Sequence, residues 1–352
     1  VNPPNRFEKY QLERDPEWAE SEAQRLAGTL PDESPDPAPT TTFYKDLSQT
    51  IIATNDSPDV GFSASINPYR GCEHGCIYCY ARPGHEYLGL SAGLDFESKI
   101  FVKHDAPELL RKALSAKSWK PQVVAISGVT DCYQPIERRL RLTRRCLEVL
   151  AEFRNPAGVI TKNALVARDI DVFEQMHAYQ GINVTLSVTS LDGRLTQILE
   201  PRTSQPSARL DAIKRLSAAG IPTGIMVAPV IPGINDHEIP AILEACRNAG
   251  ARSAGYVLLR LPWTVAPLFE SWLDAHFPER KAKVMHRIEE MRGGKKYDSR
   301  FGTRQRGEGV YAEQLLNLFE VAKRKAGFDG RDALSTASFR RPPGPQLDLF
   351  EV

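Results

Sequence analysis

The sequence predicts an α/β fold made of successive parallel βα units, and three observations carry that expectation. Short runs rich in Val, Ile and Leu alternate with amphipathic helical stretches between residues 61 and 262. Six such strand-like runs are present, too few for a complete eight-stranded barrel. A chain of 352 residues buries a sizeable core, and an α/β barrel of this length is commonly one domain with appendages.

The elements follow in order. Residues 1–42 are rich in proline and acidic residues, a composition that buries too little apolar surface to offset ordering, although a short helix over 16–28 is compatible with the pattern. The first strand, 61–66, delivers a cysteine-bearing loop, and a helix follows over 106–116. Strands are then predicted over 123–127, 158–161, 182–188, 222–228 and 254–259. Helices are predicted between them over 137–153, 166–177, 207–219 and 237–248. Beyond residue 262, helices over 263–275, 281–291 and 312–325 form a C-terminal extension (263–330), and 331–352 reads as a proline-rich extended tail.

Reacting groups in a barrel of this kind lie on the loops after the strands. That rule selects 67–80, 127–137, 161–163, 187–192, 228–236 and 260–262. In the first of these, Cys72, Cys76 and Cys79 stand at C-x3-C-x2-C. One tight loop thereby aims three thiolates at a common point, and an iron-sulfur cubane held by three cysteines leaves one iron free for another ligand. Two other readings stay open on spacing alone. Structural zinc would take His74 or His85 as its fourth ligand, and a disulfide would need an oxidising compartment that nothing here marks. Cys146 and Cys246 fall in helical patterns and read as small core residues.

The cysteine spacing, with Tyr78 just before Cys79, resembles the radical S-adenosylmethionine (SAM) superfamily. Asn55 to Pro58, Asn67 to Cys72 and Thr130 to Pro135 together resemble its spore photoproduct lyase-like bacterial group, with the likeness covering roughly residues 43–262. The resemblance implies a partial (β/α)6 TIM-like barrel over 43–262, a [4Fe-4S] cluster on Cys72, Cys76 and Cys79, and SAM chelated by the fourth iron. It also implies cleavage of SAM to methionine and a 5'-deoxyadenosyl radical, with a reducing electron donor as partner. Ser127, Thr130 and Asp131 match the segment that meets the SAM amino group, although its usual Gly-Gly-Glu signature is absent. Lys162 and Ser187 match positions that reach the carboxylate and ribose. The ordinary alternatives are a helix cap at Asp131 and a solvated lysine at Lys162. Tyr78, Tyr80 and Cys132 resemble the hydrogen-atom relay of the lyase, Cys132 in a different register; the tyrosines serve equally as packing for adenine and cluster.

Composition narrows the partners. The net charge is +1, so no bulk field recruits nucleic acid or anionic membrane. No apolar run is long enough to span a bilayer, and Val1-Asn2-Pro3-Pro4 lacks the character of a signal peptide, so a cytoplasmic location is expected. Arg138, Arg139, Arg141, Arg144 and Arg145 read as a solvated helix face. The loop 293–307 alternates basic residues with Tyr297 and Phe301, suiting either a surface or a grip on a phosphate backbone or flipped base. Gln346, Leu347, Asp348, Leu349 and Phe350 resemble the pentapeptide that docks repair proteins on the bacterial sliding clamp; folding back under the barrel is the alternative. The leading expectation is thus a radical SAM enzyme acting on a nucleic-acid lesion or modified base, possible DNA included. Modification of a peptide or small molecule, and a non-catalytic metal-binding adaptor for the clamp, are the alternatives.

Overall fold

The computed structural model describes residues 40–328, 330 and 332–342. The candidate helix over 16–28 and the pentapeptide 346–350 lie outside the described residues. Ten strands are present among the described residues: β1 (Thr42–Lys45), β2 (Ile52–Thr54), β3 (Ala64–Ile66), β4 (Tyr69–Arg70), β5 (Lys99–Val102), β6 (Val124–Ile126), β7 (Ala157–Thr161), β8 (Ile182–Ser187), β9 (Thr223–Val230) and β10 (Ser253–Leu258). The main sheet has the order β10-β9-β8-β7-β6-β3-β2. Its six strands from β3 to β10 run parallel, with β2 antiparallel on the β3 edge. This is the expected α/β architecture with six parallel strands, a partial TIM-like barrel.

Alternation along the strands divides the sheet into two faces. Val124, Ile126, Val159, Val184, Leu186, Ile225 and Val227 pack against helix residues such as Leu147, Phe173, Ile213 and Leu243 in one core. The opposite face is small and polar: Thr185, Gly224 and Ser253 lie side by side across β8, β9 and β10. A Cβ on Gly224 would meet Ser253 Oγ at 2.4 Å, so this face is closely fitted where it is not apolar.

The two sheet edges, β2 and β10, do not pair with each other. The C-terminal extension closes the gap with side chains instead. Arg304 donates to the Asp59 carboxylate and to Ser57 Oγ, and Gly302 N donates to Asp59 Oδ1 at 2.7 Å. Asn55 shapes this loop by accepting from Ser57 N and donating to Phe62 O, at 2.9 and 2.8 Å. The 55–58 stretch therefore serves the seam of the barrel. A second, small sheet of β1, β5 and β4 backs the cysteine loop.

Several elements differ from expectation. The helix over 137–153 breaks at Arg141, whose φ of 52° is left-handed, into Glu137–Leu140 and Leu142–Phe153. Buried Glu137 explains the break, because its carboxylate turns back to accept from Thr143 N at 3.1 Å and so covers the start of the second helix. The helix after β7 opens with a tight turn, Ala164–Asp169, because Asn163 accepts from Leu165 N. A short helix, Gly193–Leu199, follows β8 where none was expected, capped by Asp192. Nor is the arginine face simply solvated. Arg144 pairs with Glu148, Asp169 and Asp171, and Arg139, Arg141 and Arg145 line an outer cleft of about 740 Å³ with Lys45 and His104.

The extension packs onto the barrel through Val310–Ala326, whose Phe319 ring lies 4.7 Å from that of Tyr256. The described part of the tail is a strap rather than a free end. Ser335 N donates to Gln180 O and Arg340 N to Phe153 O, while the Phe339 ring lies 6.5 Å from Phe153. These partners are at the helix ends that precede the strands, so the strap lies on the face opposite the strand-end loops. Among the described residues, no helix is long and apolar enough to cross a membrane.

Candidate active site at the barrel mouth

β3 ends in the loop that carries the cysteines, and two glycines give it its shape. Gly71 has φ +79°, and a Cβ there would meet Phe96 O at 2.8 Å; Gly75 has φ +67°, and a Cβ would meet Glu97 Oε2 at 2.3 Å. The loop is then held from both sides. Buried Arg82 donates to the carbonyls of Cys76, Gly75, Ala92 and Gly93 at 2.8–3.1 Å. Gln134, after β6, accepts from Glu73 N at 2.9 Å and donates to Gly71 O at 3.3 Å. Ile136 N in turn donates to Glu73 Oε2 at 2.7 Å.

Cys72, Cys76 and Cys79 are free thiols. Burial pushes all three thiols up, reinforced by Asp131 at Cys72 and by Glu200 at Cys76, and opposed by Arg82 at Cys79. Metal loading on such thiols releases protons. The two histidines that a zinc site would need have other duties. His74 Nδ1 lies 3.4 Å from Asp131 Oδ2 and its Nε2 lies 3.2 Å from Asn163 Nδ2, while His85 Nε2 sits 3.0 Å from Lys99 O. Among the described residues, no three His, Cys, Asp or Glu side chains are grouped to hold a single ion. A cubane instead takes each thiolate on a different iron, so three cysteines on one loop with no fourth protein ligand fit it.

The loop after β6 is tied together by its own polar groups. Ser127 has φ 104°, an uncommon value for a non-glycine residue, and its hydroxyl donates to Thr130 O at 2.6 Å. Thr130 Oγ1 donates to Tyr69 O at 3.2 Å. Asp131 caps no helix at Glu137; it accepts from Tyr133 N, Thr161 Oγ1 and Lys162 N at 2.6–2.9 Å. Burial alone would raise the Asp131 carboxyl, but His74 and then the Thr161 and Lys162 bonds hold it down at about 2.

Lys162 follows β7, its ammonium 5.9 Å from the Tyr78 ring centroid. Ser187 ends β8 buried, and its carbonyl accepts from Arg209 at 2.9 Å. Arg209 belongs to a buried network whose members sequence reasoning did not bring together. It pairs with Glu200, which also accepts from the Tyr78 hydroxyl and, at 2.5 Å, from Thr189 Oγ1. Burial would raise the Glu200 carboxyl; Arg209, Lys162, Thr189 and Tyr78 hold it at about 2 instead.

The three expected relay residues thus part company. Tyr78 is 7% exposed and engaged by Glu200. Tyr80 is 47% exposed at the mouth, donating to Gly128 O. Cys132 is 1% exposed and packs with Tyr133, Cys146 and Leu147 in the core between sheet and helices. Its sulfur lies 3.9 Å from Ile126 O and Ile160 O.

A partial barrel with a three-cysteine loop at its strand ends defines a class of cluster-bearing α/β enzymes. The radical SAM superfamily profile matches residues 66–246, and the chain belongs to that superfamily. Its cofactors are a [4Fe-4S] cluster and SAM. An uncharacterized protein of Mycobacterium tuberculosis, Rv2578c, is 34% identical over 243 residues, covering 68% of this chain and 71% of the relative. The radical SAM Nα-GlyT isomerase of Pseudomonas phage M6 is 27% identical over 250 residues, covering 70% and 50%. Among solved structures, spore photoproduct lyase complexed with dinucleoside spore photoproduct is similar in fold. Its TM-score is 0.59 at 17% identity, with 88% of this chain and 91% of that chain covered.

Proposed function

We propose that this radical SAM enzyme acts on a lesion or modified base in nucleic acid. Bound cluster and SAM supply reductive cleavage of SAM to methionine and a 5'-deoxyadenosyl radical; the chain's own residues place the reactants. Cys72, Cys76 and Cys79 hold the cluster, and Arg82 and Gln134 fix their loop. Lys162 has no ion pair among the described residues and stands beside that loop, where it meets the SAM carboxylate; Ser187 lies one strand further on. Ser127, Thr130 and Asp131 shape the facing wall, with Asp131 orienting Lys162 through its backbone N–H. Tyr80 is the relay candidate that reaches the mouth.

The observation that carries the substrate class is the half-exposed Tyr80 ring directly after a cluster ligand, a stacking face for a flat ring beside the reactive centre. The name of the lyase complex, with its dinucleoside spore photoproduct, points the same way. In a test, reduced, anaerobically reconstituted protein is incubated with SAM and oligonucleotides bearing thymine photoproducts or modified bases. Formation of 5'-deoxyadenosine is expected to rise with at least one of them. The competing peptide reading rests on the sporulation killing factor maturation protein SkfB of Bacillus subtilis, 28% identical over 192 residues; stimulation by peptides alone would favour it. The 346–350 pentapeptide enters as a candidate tether to the sliding clamp, following a strap held on the face away from the mouth.

A further inference from the structure

At the seam, β10 runs into Arg260, Leu261, Pro262 and Trp263. The Arg260 guanidinium lies 5.0 Å from the Tyr80 ring centroid, and its Nη2 donates to the Tyr297 hydroxyl at 3.4 Å. Its Nε is buried with no hydrogen-bond partner. Arg292, alongside, donates to Thr303 O and Leu259 O at 2.8 and 2.9 Å, and its Nε is likewise buried and unpartnered. Neither guanidinium has a carboxylate within ion-pair distance among the described residues. The nearby acids serve other arginines: Asp59 takes Arg304, and Asp298 and Glu308 take Arg300. Burial first, and then the charge of Arg260, depress Arg292 to about 10.

The aromatic surroundings are equally specific. Trp263 is 70% exposed and has a left-handed φ of 41°, so a large apolar ring is presented to solvent on strained backbone. Its ring lies 6.0 Å from Tyr297. Flat exposed rings flanking an unneutralised guanidinium, here that of Arg260, bind a planar base with an attached phosphate, by stacking and by charge-assisted hydrogen bonds. Lys162, assigned to the SAM carboxylate, follows β7, three strands from β10. Arg260 at the seam is therefore available to the second reactant, with buried Arg292 adding positive charge behind it.

We infer that Arg260, backed by buried Arg292, forms with Tyr80 and Trp263 an anchoring subsite for one nucleotide of a single-stranded or flipped-out nucleic acid, phosphate on the Arg260 guanidinium and base on the rings. This rests on the nucleic-acid reading above and adds its location. An anion at Arg260 lies beside Tyr80, so the neighbouring residue of the strand faces the cluster loop.

Fluorescence anisotropy of a labelled single-stranded oligodeoxynucleotide, titrated with the full chain at several salt concentrations, tests the subsite. Arg260→Gln is expected to weaken binding about tenfold and to lower the slope of log affinity against log salt by about one. Trp263→Ala is expected to weaken binding several-fold and to abolish quenching of tryptophan fluorescence by an unlabelled strand. Thermal melting and cluster absorbance show that both variants fold. Wild-type affinity and salt slope in both variants would overturn the subsite while leaving the substrate class standing. No oligonucleotide binding by the wild type, or Arg260-dependent binding of an acidic peptide instead, would overturn both.

Discussion

At the scale of single residues, the chemistry divides between side chains that meet reactants and side chains that hold them. Replacing Cys72, Cys76 or Cys79 by alanine is expected to abolish the cluster, seen as loss of bound iron and of visible absorbance. Cys132→Ala should instead keep the cluster, SAM cleavage and product identity, because Cys132 lies in the core between sheet and helices. Altered product with intact SAM cleavage would return it to the mechanism. Glu200 gives a pH prediction with a defined sign. Its folded carboxyl sits at about 2 against an ordinary 4.5, so its charge stabilises the fold fully above 4.5, and that contribution is lost as pH falls toward 2. Glu200→Gln leaves Arg209 buried without its partner and is expected to cost about 3–5 kcal/mol near neutral pH. Chemical denaturation should show the gap to wild type narrowing across the acid window; a constant gap would mean that the pair is not the source. The placement of the three cysteines on a strand-end loop and of Lys162 directly after a strand was legible in the sequence. Arg82, Gln134 and Glu200 were not legible as a group, since their roles depend on partners 6 to 122 residues away.

At the scale of elements, six predicted strands are present because β-branched runs buried on one face specify them strongly. The errors fall where a side chain overrides a local pattern: Glu137 splits one helix, Asn163 tightens the start of another, and Asp192 caps one that was not foreseen. The small sheet of β1, β4 and β5 escaped notice because its strands span only two to four residues. The cysteine loop is the element most exposed to single changes. Gly71→Ala combines an unfavourable φ with a clash against Phe96 O and is expected to cost about 1–3 kcal/mol locally. Iron bound per chain after anaerobic reconstitution should fall while the fold, by circular dichroism, persists; full iron loading would show that the loop tolerates the change.

At the scale of the whole molecule, the barrel is an open sheet whose edges are joined by side chains. Asp59→Ala removes the acceptor for Arg304 and Gly302 and should lower the melting temperature by a few degrees. The described strap lies on the face opposite the mouth. If the pentapeptide is a clamp tether, purified sliding clamp should bind the full chain and lose it when 346–352 are deleted; equal binding by both would assign the contact elsewhere. The net charge of +1 gives no bulk field for nucleic acid, so binding at the proposed subsite would rest on local contacts at Arg260.

The central claim is that a cluster-dependent radical is directed onto a base. Mass spectrometry of nucleosides digested from bacterial DNA and RNA after treatment with reduced enzyme and SAM tests it most directly, with the Cys76→Ala variant as control. Conversion of at least one modified nucleoside by the wild type alone is the expected result. Identical nucleoside profiles, in the presence of 5'-deoxyadenosine formation by the wild type, would contradict it.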